Sequence, residues 1–370
     1  DTTYCDLFFM ANFTSGYSIN YFYLRLSNQS NSDHFQIISY GKPYAISSTQ
    51  SLTISSNLQT FQIQACTHET MKDCYSTNFN LKYNYYKSYQ GFDPNVWEQL
   101  SGAYIFRPSN DTLSGSISYA SPVRGVIYQG KNLLQVHLDF QKIVTEIRIY
   151  GDLGRGVEVN SFVDSINIDD KKGKEIVMQV NVPSIANKDV FWTDSMGMEM
   201  QKRIKNYRPS WNYEVHQPAS GNYYPIQSTI YIEDTFTKER LAVIPDRAEG
   251  GTSLTEGTIE VMLHRRLLCD DTRGVDDPLN ETDWDGKGLR QWIRHVLLFS
   301  RDGYIDTHYR EIQNDLDQPG LVLLSPVATG ARERKESSLL GINDEGLEMV
   351  KIFGRALAMN KYLLRFQNMD

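Results

Sequence analysis

The sequence predicts a mostly β protein made of antiparallel β-sandwich domains, a large one in the middle and smaller β domains at both ends, with few helices. Three observations predict it. Aromatic residues make up 12% of the chain, with 23 tyrosines and 16 phenylalanines, and rings with β-branched residues are what pleated, half-buried surfaces select. Apolar and polar residues alternate with period two in run after run, as a strand with one buried face requires. Few segments of the middle region carry helical periodicity, so sheet packed on sheet is the natural way to bury the apolar faces.

The elements follow in order. In residues 17–26 (YSINYFYLRL), Tyr17, Ile19, Tyr21 and Tyr23 fall on alternate positions, and residues 60–65 (TFQIQA) alternate likewise. Residues 76–89 begin strand-like and then crowd with tyrosine, and Gly91, Pro94 and Asn95 punctuate their end, which places a boundary there. A small β domain over 1–92 is the result. Strands are next expected at 123–128, 133–140, 142–150, 175–182, 229–232, 241–244 and 258–263, forming a large sandwich over 93–286. Residues 289–300 (LRQWIRHVLLFS) fit a strand or a helix equally, 331–335 (ARERK) read as an exposed loop, and 361–366 (KYLLRF) read as a strand. These form a partial C-terminal β domain over 287–370. A strand so near the end predicts an unpaired edge near residue 365.

The chain has 370 residues, enough for two or three domains. Its 37 basic and 45 acidic residues sum to −8, without the basic stripe that phosphate backbones require, so nucleic acid is not expected as a partner. Nor is a membrane: no run approaches the ~20 apolar residues that cross a bilayer. The start at Asp1, without a methionine, reads as a processed or excised piece. Asn-x-Ser/Thr acceptor patterns at Asn12, Asn28, Asn110 and Asn280 point to the secretory pathway. Cys66 and Cys74 enclose the polar segment THETMKD; a disulfide there would stabilise by about 2.5 kcal/mol in the chain-entropy model, the alternative being two free thiols. The pairing of Cys5 and Cys269 stays open.

No complete catalytic site is legible. None of the seven histidines sits in HExxH, no CxxC pair exists, and there is no G-x-S-x-G elbow or phosphate loop. His137 and Asp139 share a strand face, two ligands where a metal needs three or four. The GDLGRG run at 151–156 leads into a strand, so it reads as a tight turn and not a phosphate cradle. The densest charged constellation is Asp270-Asp271-Thr272-Arg273-Gly274, delivered by the end of a strand into a loop. It suits either a carbohydrate-facing loop or an Asp–Arg network that holds a turn. Tyr223 and Tyr224 suit sugar stacking or core packing.

Ordered blocks around this constellation carry a family resemblance: SGAYIFRP at 101–108, FWTDS at 191–195, GNYYP at 221–225, AEGGTSL at 248–254, GTIE at 257–260, HRRLL at 264–268 and DDTRGV at 270–275. Together they resemble the C-terminal half of the glycoside hydrolase family 38 α-mannosidases, with HRRLL in the form of the lysosomal and vacuolar branch. The resemblance implies a portion of a retaining, zinc-dependent enzyme that hydrolyses terminal α-mannosides of N-glycans. Zinc and the catalytic carboxylates would belong to an N-terminal catalytic chain or domain, which becomes the expected partner, with a mannose-containing oligosaccharide as ligand. This chain alone is expected to be inactive, with no catalytic residue and no metal ligand of its own. By motif position, Tyr104 and Arg273 are expected at the edge of the mannose pocket, with Asp270 and Asp271 fixing the arginine and its loop from behind. A lysosome, vacuole or secreted location follows. Members of this branch continue past the strand that KYLLRF resembles, so a further sandwich portion is expected beyond Asp370. The alternative function is a non-catalytic carbohydrate-binding or scaffolding sandwich subunit.

Overall fold

The computed structural model describes residues 18–20, 35–36, 43–45, 51–55, 60–66, 74–91, 99–110, 112–113, 122, 124–129, 133–150, 156–197, 199–301, 304–317, 336–338, 350–358 and 361–368. The expectations at Cys5, Asn12, Asn28 and residues 331–335, and most of those at 17–26 and 151–156, lie outside them. Two compact units divide the chain, one of residues 34–313 and one of residues 1–33 with 314–370.

The larger unit is a sandwich of two antiparallel sheets. In one, ten described strands run in the order Glu199–Ile204, Val190–Ser195, Ile230–Glu233, Arg240–Pro245, Gln291–Ser300, Val157–Val163, Ile143–Tyr150, Leu133–Asp139, Arg124–Gln129 and Phe35–Gln36. In the other, eight run in the order Tyr224–Ile226, Glu249–Thr252, Thr258–Arg266, Lys174–Asn181, Cys74–Lys87, Thr60–Cys66, Ser51–Ile54 and Pro43–Ala45. Period two decides which side chains enter the core. Val157, Val159, Ser161 and Val163 are buried and the residues between them are not, so one face of that strand packs inward. Phe61, Phe79 and Leu81 of one sheet meet Ile127, Val136, Ile147 and Leu297 of the other in a single buried cluster, each contributing about 1.5–3 kcal/mol relative to exposure.

Two polar contacts also cross this core. The Tyr83 hydroxyl lies 2.8 Å from Ser161 Oγ and accepts the Thr145 hydroxyl at 2.8 Å; burial pushes the Tyr83 phenol up to about 12, so it stays neutral and the triad is satisfied. His295 Nε2 meets Glu249 Oε2 at 2.9 Å, joining a strand of each sheet.

The ambiguous segment at 289–300 is a strand, Gln291–Ser300, paired with both Val157–Val163 and Arg240–Pro245. One α-helix appears among the described residues, Tyr304–Asp317. Its buried Ile305, Tyr309 and Ile312 recur at spacings of four and three, which puts them on one face. Asp306 in its first turn accepts Arg240 Nη1 at 2.6 Å, where a helix N-terminus favours an acid.

The smaller unit contains a short antiparallel pair, Ser18–Asn20 with Glu336–Ser338, and a hairpin of Val350–Ala358 with Lys361–Asn368. The strand expected at 361–366 is thus paired along one edge; among the described residues its other edge has no strand beside it. In the larger unit, Cys66 stands opposite Cys74 in the antiparallel register. Their side chains lie outside the described residues. Cys269 is a free thiol whose Sγ lies 3.8 Å from the Gln90 carbonyl.

Candidate functional site

The motif blocks come together on the outer face of the eight-stranded sheet. Along Lys174–Asn181, Ile176, Met178 and Val180 enter the core, which leaves Glu175, Val177 and Gln179 on the opposite face. In register with Glu175 stand Tyr86 on one side and Arg265 on the other. The segment 101–106 and the turn at 218–224 cover this face: Tyr86, Val177 and Ala219 form a second buried cluster against which Phe106, Leu254 and Met262 pack.

Beneath the first covering segment lies a charged clamp. Arg265 donates from Nε and Nη2 to Glu175 Oε1 at 3.1 and 2.7 Å, and from Nη2 to the Ile105 carbonyl at 2.7 Å. Ser101 Oγ donates to the same Glu175 oxygen at 2.7 Å. Glu175 is fully buried; burial raises its pKa and the Arg265 charge opposes that. A permanent cation is thus spent on holding a backbone segment over a buried acid.

Glu260, beside it, is equally buried and accepts Tyr86 Oη at 2.9 Å, the Tyr223 hydroxyl and, on its other oxygen, Gln179 Nε2 at 2.8 Å. Burial raises its pKa and these donors partly offset the rise. Burial and the neighbouring Glu260 push the Tyr223 phenol well above its ordinary value. Tyr223 and Tyr224 are both half-buried; the Tyr223 ring meets Phe106 edge-on at 4.7 Å, and Tyr224 lies under the Arg203 and Arg208 guanidinium groups at 4.2 and 5.0 Å.

The predicted site residues gather at one carboxylate. Asp271 is fully buried. Its Oδ2 accepts the backbone N–H groups of Tyr104 and Ile105 at 2.7 and 2.9 Å, and its Oδ1 accepts that of Arg273 at 3.2 Å. Gly102 is required at this crossing, because a Cβ there would stand 2.5 Å from Asp271 N. Asp270 Oδ2 accepts the Thr272 N–H at 2.8 Å, holding Thr272 at a positive φ of 58°. Asp270 and Asp271 are expected to fix the arginine and its loop; they hold the loop through its backbone N–H groups, that of Arg273 included, and not through the guanidinium. The Arg273 guanidinium instead donates to the Gln99 side-chain oxygen, while Gln99 Nε2 donates to the Asp271 carbonyl at 2.7 Å.

From this base two side chains project. Tyr104 is 67% exposed and Arg273 is exposed at the next loop. Such a pair can donate hydrogen bonds to sugar hydroxyls or to a carboxylate. Sequence reasoning missed Gln99, Glu175 and the roles of Arg265 and Glu260. An acid on a strand with an apolar partner face, as in KEIVMQV, is the one signal that marked Glu175. His137 packs edge-on to Tyr128 at 5.0 Å. Among the described residues no three His, Cys, Asp or Glu side chains converge to hold a metal ion.

Two further blocks act as loop anchors. Asp194 Oδ1 accepts the N–H groups of Gln227, Ser228 and Thr229 at 2.8, 2.9 and 3.1 Å. Buried Asn222 exchanges two hydrogen bonds with Asn206, at 2.8 and 2.7 Å.

Comparison with known proteins gives the family. Residues 52–273 match the glycosyl hydrolases family 38 C-terminal domain. A probable alpha-mannosidase of Arabidopsis thaliana is 42% identical over 203 residues, covering 54% of this chain and 19% of the relative. The lysosomal alpha-mannosidase of Bos taurus is 36% identical over 248 residues, covering 66% and 23%. The chain thus spans about a fifth of the length of the curated relatives it matches. Among solved structures, an alpha-mannosidase from Enterococcus faecalis V583 aligns with a TM-score of 0.48 at 10% identity, over 75% of this chain and 32% of that one. With the match covering more than half of its residues, this chain belongs to glycosyl hydrolase family 38, as a C-terminal domain of that family.

Proposed function

We propose that the chain is the C-terminal β-sandwich portion of a retaining, zinc-dependent α-mannosidase that removes terminal α-mannosides from N-glycans. In this reading zinc and the catalytic carboxylates belong to an N-terminal catalytic domain or chain, against which the sandwich packs. Tyr104 and Arg273 complete the edge of the mannose pocket. They act as positioners: the phenol hydrogen-bonds a sugar hydroxyl or a catalytic carboxylate, and the guanidinium orients a carboxylate with its planar fork. The location is a lysosome, a vacuole or the secreted medium, in keeping with the names of the lysosomal relatives.

The observation that supports this reading is that one buried carboxylate, Asp271, accepts the backbone N–H groups of both residues whose exposed side chains project, Tyr104 from 167 residues away and Arg273 from within its own loop. Rigid support of projecting hydrogen-bonding groups is what a pocket edge requires. The test is turnover of an aryl α-mannoside by this chain alone, by the N-terminal portion with zinc, and by the two together. Turnover only in the mixture, or much enhanced there, is the expected result. Turnover by the isolated chain would overturn the placement of the catalytic groups.

A second reading, a carbohydrate-binding sandwich without turnover, draws on Trp211, which is 64% exposed and stacked on Tyr213 at 6.0 Å. Glycan binding by the isolated chain, with no activity in any mixture, would favour it.

A further inference from the structure

A cleft on the larger unit has no part in the site described above. It encloses about 670 Å³ between the turn at 165–171, the end of strand Thr258–Arg266 and the segment 280–287, within the ~300–1,000 Å³ of clefts that take small ligands. Its lining is mixed: Asn167, Asp169, Lys142, Lys171 and Lys287 stand beside Ile166, Ile168 and Leu268, and the five polar side chains can hydrogen-bond hydroxyl or acetamido groups. Asn280 stands on the same wall, at the head of the acceptor pattern Asn280-Glu281-Thr282.

The Asn280 side chain has a defined orientation. Arg266 Nε donates to it at 2.7 Å, and because a guanidinium only donates, the atom facing Arg266 is the amide oxygen. Arg266 is itself fixed, donating from Nη1 to the Ile166 carbonyl at 2.9 Å. The amide nitrogen Nδ2 therefore points away from Arg266, and among the described residues no hydrogen bond ties it down. Substitution on Nδ2 leaves the oxygen and its bond to Arg266 intact. The backbone around it is also pinned: Leu267 N donates to the Leu279 carbonyl at 2.8 Å, and Thr282 forms a β-bridge with Gly288.

We infer that Asn280 carries an N-linked glycan and that the cleft is the cradle of that glycan's first sugars. The inference rests on the secretory-pathway part of the proposed function. The modification joins Nδ2 to C1 of an N-acetylhexosamine carried on a lipid pyrophosphate. The N–C1 bond forms, the C1–O bond to the pyrophosphate breaks, the lipid pyrophosphate leaves with the electron pair, and an amide proton is lost. Asn167, Lys171 and Lys287 then hydrogen-bond the sugar, so the glycan is part of the folded surface and not a free tether.

The test uses the full-length protein secreted from a eukaryotic host, with site-by-site mass spectrometry before and after treatment with a peptide-N-glycosidase under native and denaturing conditions. The expected result is a modified Asn280 whose glycan is released at least ~10-fold more slowly from the native than from the unfolded protein. Asn167→Ala with Lys171→Ala should raise the native rate toward the unfolded one. Thr282→Ala, which leaves the Asn280–Arg266 bond in place, should remove this glycan alone and lower the Tm. An unmodified Asn280 in secreted protein that is glycosylated elsewhere would overturn the inference, as would equal release rates in the two states. A secreted protein bearing no glycan at any acceptor would overturn the secretory reading beneath it. None of these readouts uses mannosidase activity.

Discussion

The carboxylate of Asp271 takes the backbone N–H of Tyr104 at 2.7 Å, so the loop bearing one candidate pocket residue is fastened to the loop bearing the other. Asp271→Asn keeps one acceptor oxygen but sets an NH₂ group against a backbone N–H in either orientation. The expected cost is about 1–3 kcal/mol for the unsatisfied buried groups. Urea unfolding should show it, and the Tyr104 and Ile105 amides should exchange faster with solvent. Unchanged exchange at both amides would remove Asp271 as the anchor.

Gly102→Ala places a Cβ 2.5 Å from the Asp271 backbone nitrogen. Backbone cannot swing aside as a side-chain tip can, so roughly 1–3 kcal/mol of destabilisation is expected from overpacking. A variant as stable as the parent in denaturant would mean that the two loops do not cross this closely.

Glu260 gives a pH dependence of definite sign. Burial raises its folded pKa above the unfolded value of about 4.3. Between those two values the folded chain binds more protons than the unfolded one, so stability falls as pH rises through the window and the loss is complete above it. Glu175 acts in the same direction. Glu260→Gln should flatten the fall of urea-unfolding stability above about pH 4. The same slope in parent and variant would show that Glu260 does not titrate in this window.

Asp234 works the other way. Burial pushes its carboxyl up, but the N–H groups of Thr237, Ala186 and Phe236 and the Thr237 hydroxyl outweigh this and hold it down to about 2. The stability it provides is present above the unfolded value of about 3.9 and is lost as pH falls toward 2. Asp234→Asn should cost about 2 kcal/mol near pH 6 and little near pH 2. A cost that does not shrink with acid would contradict the assignment.

The strands were legible in the sequence because burial of one face imposes period two, and strands such as Ile143–Tyr150 and Val157–Val163 obey it residue by residue. The helix Tyr304–Asp317 was not, because Ile305, Tyr309 and Ile312 are thinly spread among charged residues. At the candidate site, the motif blocks at 101–108 and 270–275 meet in the fold. The sequence neighbours Asp271 and Arg273 suggested a local charge pair, whereas the acid takes only the backbone N–H of Arg273, its other partners are the backbone groups of Tyr104 and Ile105 far along the chain, and the guanidinium's partner is Gln99. Adjacency in sequence carries no information about such partners, since the fold alone brings residues 99, 104 and 271 together.

In the proposed function Arg273 and Tyr104 orient groups at a mannose pocket, which is tested by kcat/KM on an aryl α-mannoside for the full-length protein carrying Arg273→Lys or Tyr104→Phe. Both side chains are exposed, so Tm should be unchanged. Lysine keeps the charge but loses the planar fork, and a fall of about 10- to 100-fold is predicted, matching the loss of a charge-assisted hydrogen bond. Full activity in both variants at unchanged Tm would contradict the account and remove these residues from the pocket.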